Sequence, residues 1–319
     1  MDGKLIAEMA FTIIGGLGIF LYGMMSISEG MQAVAGERLR KLVHAVTNNR
    51  FVACGVGTMV TSIIQSSSVT TVIVVGMVNA GIMTLTQAIG VIYGANIGTT
   101  VTAWILTIDL GKYGLPILGA SAIVYLFTKR EKLKFTAMAA MGLGMVFFGL
   151  ELMKDGFAPL KELPGFITWF SKFSPDSYFG VIKCVLVGAI MTGIVQSSSA
   201  TIGITMGLAF NGIIDFPTAA ALVLGENIGT TVTALLASLG AATNARRAAF
   251  AHTMFNVMGV MWITAIFFPY IKVVQAIIAW KSGVDINAAV TENGVTNFPH
   301  TMAAIAMTHT CFNVLNTIV

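Results

Sequence analysis

Apolar runs separated by short polar clusters divide this chain into segments that are either long enough or too short to cross a bilayer. Glu8 to Ile27 reads as a first spanning helix, because about 20 apolar residues reach across the hydrocarbon core. From Ser28 to Asn49, Glu37, Arg38, Arg40 and Lys41 alternate with Met31, Val34, Leu39, Leu42 and Val43, the pattern of a helix lying at the interface. Phe51 to Ile64 and Val69 to Ala80 are each too short to span, which predicts a re-entrant helical hairpin folded between them. Leu85 to Ile108 has spanning length, yet Gly94, Asn96, Gly98, Thr99 and Thr100 weaken a helix at its middle. The expectation is a broken transmembrane helix, followed by Tyr113 to Phe127 and a basic turn at Lys129 to Lys134.

The same order then recurs. Gln65-Ser66-Ser67-Ser68 returns as Gln196-Ser197-Ser198-Ser199, and Asn96-Ile97-Gly98-Thr99-Thr100 as Asn227-Ile228-Gly229-Thr230-Thr231, all at an offset of 131. Gly16-Leu17-Gly18 and Tyr22-Gly23-Met24 recur as Gly142-Leu143-Gly144 and Phe148-Gly149-Leu150 at an offset of 126. The second copy reads as a span at Phe135 to Met153, an interfacial segment at Lys154 to Asp176, and a hairpin at Tyr178 to Asn211. A broken helix at Phe216 to Leu239 and a span at Arg246 to Pro269 complete it. Lys272 to Pro299 reads as a polar connection and His300 to Val319 as a last apolar segment. A span, a returning hairpin, a broken span and a further span make an odd number of crossings, so the second copy inverts. The predicted fold is an all-α membrane protein of two inverted-topology repeats, each with a re-entrant hairpin and a broken helix. Residues 1–133 form the first repeat, 134–270 the second, and 271–319 the connection with a C-terminal helix.

Composition agrees: 56% of the 319 residues are hydrophobic and 10% charged, with a mean hydropathy of +0.84, against about 25% charged in soluble domains. No run of basic residues interleaved with aromatics invites nucleic acid. Cys54, Cys184 and Cys311 are odd in number and sit in apolar sequence, and four His without a CxxC or HExxH give no transition-metal constellation. Between Arg50 and Lys112, and between Lys183 and Arg246, no Lys, Arg or His occurs, and these windows hold every motif residue. An anion held there must be met by hydroxyls, amides, helix N-termini and cations that travel with it. Ser and Thr also pack helices closely in lipid, so each alone carries little; the repeated four-residue cluster points to a site. Glu226 takes the place of Ala95 in the other copy, and a carboxylate at membrane depth is a sodium-ligand or protonatable-switch candidate. Asp109 and Asp215 fall at segment ends and read as solvated. His252 to Val257 echoes His309 to Val314 at an offset of 57, which reads as two helices packed alike with structural histidines.

At these motifs the chain resembles the type II sodium/phosphate cotransporter family, over nearly its whole length. The resemblance implies that Gln65, Ser66, Ser67, Ser68, Gln196, Ser197, Ser198 and Ser199 bind phosphate. It places Thr99, Thr100, Thr230 and Thr231 near sodium; Asn96 and Asn227 beside them are sodium-site candidates too, as is Glu226, where animal members of the family have a small residue. What it implies as a whole is a sodium-coupled symporter importing inorganic phosphate by alternating access, in the cell (inner) membrane. Sodium is then the co-transported ion, with no organic cofactor, lipid as surroundings and a homodimer as an allowed assembly. Neutral hydroxyls do not name their anion, so a symporter for another oxyanion or a dicarboxylate is the alternative. An intramembrane serine hydrolase lacks a base or GxSxG turn, and a passive channel suits hairpins poorly. Counting Lys and Arg puts the side of Arg38 and Arg246 in the cytoplasm, whereas the family places it outside, and orientation stays open.

Overall fold

The structure, a computed structural model, describes residues 3–44, 49–108, 110–162, 174–292 and 295–319. Asp109 and residues 163–173 of the second interfacial segment lie outside the described residues. The chain folds as helices α1 (Gly3–His44), α2 (Arg50–Ile64), α3 (Ser67–Asn79), α4 (Leu85–Leu106), α5 (Gly111–Phe127) and α6 (Glu131–Phe157). After a 3-10 turn at Ala158–Glu162 come α7 (Tyr178–Val195), α8 (Ser198–Phe210), α9 (Phe216–Ala237), α10 (Thr243–Ala265), α11 (Phe267–Ser282) and α12 (Pro299–Ile318). Among the described residues six helices are long and apolar enough to cross a membrane, within Ile6–His44, Leu85–Leu106, Glu131–Leu160, Tyr178–Val195, Phe216–Ala237 and Thr243–Ala265. This is a helical, multi-pass membrane architecture.

Four sequence expectations change. The span at Glu8 to Ile27 and the interfacial helix at Ser28 to Asn49 form one helix, α1, with no break between them. No proline interrupts the hydrogen-bond ladder there, and 42 residues at 1.5 Å each extend about 60 Å, well past the hydrocarbon core. The two helices expected to be broken, at Leu85 to Ile108 and Phe216 to Leu239, are continuous as α4 and α9. Arg246 to Pro269 is not one span: α10 ends at Ala265 and α11 starts at Phe267, with Pro269 in a first turn that lacks ladder bonds in any case. Lys272 to Pro299 is therefore helical in its first part, and the helix crosses the expected domain boundary at 270/271. Its remainder carries a small antiparallel hairpin, β1 (Val290–Glu292) with β2 (Val295–Asn297), in a chain that is otherwise helical, as the all-α reading expected.

The α4 and α9 glycines serve close approach instead of a break. A Cβ on Gly94 would collide with the Cys54 carbonyl, and one on Gly225 with the Val185 carbonyl. Gly98 abuts Thr58 and Gly229 abuts Ala189 in the same way, so α2 lies against α4 as α7 lies against α9, backbone on backbone. The polar side chains stay within the helices. Asn96 Nδ2 donates to Ile92 O at 2.9 Å, Thr99 Oγ1 to Ala95 O at 3.0 Å and Thr100 Oγ1 to Ile97 O at 2.8 Å. Asn227, Thr230 and Thr231 repeat this on Val223, Glu226 and Ile228.

Helices α1 and α6 pack antiparallel along a second glycine seam. A Cβ on Gly16 would lie 2.9 Å from Gly149 O, and one on Gly149 would lie 2.6 Å from Gly16 O. The Gly23 and Gly142 positions meet with the same reciprocity, at 2.7 and 2.5 Å. Since Gly16 corresponds to Gly142 and Gly23 to Gly149, each contact is the other with the copies exchanged.

These seams make a prediction. Gly94→Ala and Gly225→Ala should each destabilise the purified protein by roughly 1–3 kcal/mol, because overpacking at a backbone contact forces the helices apart. Gly55→Ala, which meets open space, should not. Thermal unfolding in detergent checks this, and equal midpoints for all three would refute the packing account.

Candidate functional site

Each QSSS cluster is a sharp turn between two helices. Gln65 (φ 59°, ψ 26°) and Gln196 (φ 55°, ψ 24°) take the left-handed conformation, and they are the two non-glycine residues with positive φ among the described residues. Such backbone is costly for a side-chain-bearing residue and persists where its surroundings hold it. Each turn closes α2 or α7 with a bond from the Gln N–H to Thr61 O or Thr192 O, 2.7 Å in both copies. Ser66 and Ser197 then cap α3 and α8, their hydroxyls accepting from Val69 N and Ala200 N at 3.3 Å. Thr61 donates to Thr70 at 3.0 Å, and the Thr192 and Thr201 hydroxyls meet at 2.8 Å, tying the two arms of each turn together. The helices thus begin inside the clusters, at Ser67 and Ser198, rather than just after them.

All eight Gln and Ser residues line one cavity of about 500 Å³. Ser67 and Ser198 are 6% and 7% exposed, and the first turns of α3 and α8 both abut this space. The N–H groups of those turns have no carbonyl of their own helix to bond and carry the positive end of its dipole. Two helix starts, six hydroxyls and two amides around one space offer an anion many neutral donors. The α1 face Leu21, Met24, Met25, Ser28, Glu29 and Gln32 forms the remaining wall, apart from Val69 and Val195. Sequence reasoning missed this wall. The spacing of its residues on one helix face was the available signal, hidden by assigning everything from Ser28 onward to the interface.

The seven residues nominated for sodium do not line this cavity. Asn96 and Asn227 are committed elsewhere, at the centre of two matched clusters. Asn96 Oδ1 meets His252 Nε2 at 3.2 Å and Asn256 Nδ2 at 3.3 Å; Asn227 Oδ1 meets His309 Nε2 and Asn313 Nδ2, both at 3.1 Å. Each Asn spends its amide N–H on a helix carbonyl, so its oxygen faces the imidazole, and each Nε2 carries the proton. The echo at offset 57 is therefore two equivalent clamps, α10 on α4 and α12 on α9, with the histidines hydrogen-bonded. Glu226, 1% exposed, accepts from Thr205 Oγ1 at 2.8 Å through Oε1, while Oε2 has no partner among the described residues. Thr205 stands where the first copy has Val74, so both members of the pair are particular to the second.

The copies also differ at the turns. Thr102 Oγ1 donates to Gln65 Oε1 at 3.0 Å, whereas the equivalent Thr233 Oγ1 is buried with no partner among the described residues and Gln196 is exposed.

Both QSSS turns and one face of α1 thus border a single polar cavity, in a bundle where six helices among the described residues are long and apolar enough to cross a membrane, the architecture of a multi-pass membrane protein. The profile of the Na+/Pi-cotransporter family matches residues 19–155 and 175–280. The chain belongs to that family, whose members are transporters and not enzymes. It is 32% identical over 245 residues to the uncharacterized protein YqeW of Bacillus subtilis, covering 76% of this chain and 77% of that one. It is 28% identical over 270 residues to YjbB of Salmonella typhimurium, whose name proposes inorganic phosphate export, covering 85% of this chain and 49% of that one. The human sodium-dependent phosphate transport protein 2B is 42% identical over 91 residues, 27% of this chain and 13% of that one. The chain thus spans about half the length of the YjbB protein and a small part of the human one. No solved structure matches.

The clamps are testable through stability. Asn96→Leu and Asn227→Leu each strand two buried donors and should cost about 1–3 kcal/mol. Thermal unfolding should show similar losses for the two, and no loss in either would remove the clamp.

Proposed function

We propose that the chain is a sodium-coupled secondary transporter that imports inorganic phosphate by alternating access. The observation that carries this reading is the single cavity bounded by both QSSS turns. Its lining has no Lys, Arg or His, so an oxyanion entering it meets hydroxyls, amides and helix N-termini but no fixed cation. Removing an anion from water costs several kcal/mol unless a counter-charge accompanies it. Sodium entering with phosphate supplies that charge and couples the two fluxes.

Two inverted repeats, residues 1–133 and 134–270, are the arrangement we assign to this mechanism. The antiparallel, reciprocal contact of α1 with α6 supports it, as do the matched turns, glycine seams and clamps. In this reading each turn with its two flanking helices is a re-entrant hairpin, α7 having spanning length and α2, α3 and α8 being shorter, and the two hairpins meet near the bilayer midplane. The unequal turns support alternation: Gln65 is latched by Thr102 while Gln196 is released from Thr233, and transport exchanges the two conditions.

For sodium, Thr99, Thr100, Thr230 and Thr231 keep hydroxyl lone pairs after donating to their own helices, and the open oxygen of Glu226 favours a cation beside it. Asn96 and Asn227 have their oxygens engaged and act in this account by holding α4 and α9 in place. A second reading reverses direction: the YjbB relative, matched over 85% of the chain, carries a name that proposes export.

In proteoliposomes containing the purified chain, an imposed sodium gradient should drive labelled phosphate uphill. Ser67→Ala and Ser198→Ala should each reduce this at least tenfold. Uptake equally fast in potassium would reject sodium coupling, sodium-driven sulfate or succinate uptake without phosphate uptake would change the substrate, and phosphate movement against the sodium flux would reverse the direction. Glu226→Gln should weaken the sodium dependence of uptake; an unchanged sodium titration would leave Glu226 a packing role.

A further inference from the structure

We propose that Glu29 selects, among tetrahedral oxyanions, those that carry a proton of their own, so that the site accepts phosphate and arsenate and rejects sulfate. The proposal rests on the reading of this cavity as the anion site and adds a specificity-determining residue to it. Glu29 is on α1, outside both repeated motifs, and faces the same space as the eight Gln and Ser residues. It is the one ionisable residue in that lining, it is exposed, and no ion pair or hydrogen bond reaches its carboxylate among the described residues. On the same face Gln32 Nε2 donates to Ser28 Oγ at 3.1 Å, so the neighbouring polar groups are already engaged with each other. The Glu29 carboxylate is an ionised acceptor open to a ligand.

A carboxylate is an unexpected wall for an anion site unless the anion brings a donor. An ionised carboxylate only accepts hydrogen bonds. Sulfate at neutral pH has four oxygens and no proton, so against Glu29 it sets lone pairs and negative charge face to face. Inorganic phosphate at the same pH keeps one or two P–OH groups, and one of these donates to Glu29 while the remaining oxygens accept from the QSSS hydroxyls, amides and helix N–H groups. Arsenate keeps its protons likewise. The opposing contact discriminates through repulsion as much as through attraction. A fixed negative charge in the lining also deepens the need for cations to accompany the substrate.

The test uses the purified full chain in proteoliposomes under a sodium gradient, with phosphate uptake challenged by arsenate or sulfate, and with sulfate binding measured directly by calorimetry in sodium. For the unsubstituted chain, arsenate should compete and sulfate should not. Glu29→Gln replaces an acceptor by a group that also donates; the ratio of the sulfate inhibition constant to the phosphate KM should fall at least tenfold, and sulfate binding should become measurable. Glu29→Asp should keep sulfate excluded. Sulfate exclusion that survives in Glu29→Gln, whether uptake persists or is lost, overturns the proposal, as does sulfate competing equally with the unsubstituted chain. A shift of the sodium titration alone, with selectivity unchanged, overturns it in favour of a sodium ligand. Absence of any sodium-driven phosphate uptake by the unsubstituted chain defeats the transport reading instead, and is told apart because it precedes every Glu29 comparison.

Discussion

Backbone N–H groups that cannot find a carbonyl are expensive in hydrocarbon, so a membrane helix that stops inside the bilayer must end at protein or at an aqueous cavity. In the proposed hairpins Gln65 and Gln196 create that situation twice by turning the chain through a left-handed conformation. Everything else about the site follows from closing those turns. Thr61 with Thr70 and Thr192 with Thr201 bind the arms together, Ser66 and Ser197 take up one N–H each, and the N–H groups that remain face a shared cavity. In the proposed function the same geometry that leaves backbone donors without partners supplies the means of holding an anion.

The cavity stays in register because the helices around it meet at backbone distance. Glycines at 94, 98, 225 and 229 set α4 on α2 and α9 on α7, and those at 16, 23, 142 and 149 set α1 on α6. Asn96 and Asn227 then fasten these layers to α10 and α12 through two histidines and two further asparagines. Against this matched frame the departures stand out: a latched Gln65 opposite a released Gln196, and Thr205 with Glu226 where the first copy has Val74 and Ala95. A frame that repeats with site groups that do not is what a cycle between two conformations calls for.

Much of this was legible in the sequence, and each failure has a physical cause. The short helices on either side of QSSS were readable from length alone, since neither Phe51 to Ile64 nor Val69 to Ala80 can span. The convergence of both clusters on one cavity was readable from their repetition. Propensity misled at GANIGTT and GENIGTT, where glycine weakens an isolated helix, but here each glycine is filled by a neighbouring backbone and each Asn or Thr bonds its own helix. Tertiary packing overrides propensity in lipid, and no local window reveals it. The α1 wall was hidden for another reason: an amphipathic pattern at Ser28 to Asn49 suits a cavity-facing helix as well as an interfacial one. His252 and His309 gave a visible echo, but their partners, Asn96 and Asn227, lie 156 and 82 residues away.

In the function proposed here, a site made of neutral donors, with a carboxylate and no cation in its wall, holds phosphate only when metal ions come with it. Titration calorimetry of phosphate into the purified chain, at fixed ionic strength in sodium or in potassium, tests this at equilibrium without any transport step. Phosphate should bind measurably in sodium, more tightly as sodium rises, and not in potassium. Equal affinity in the two salts would contradict it.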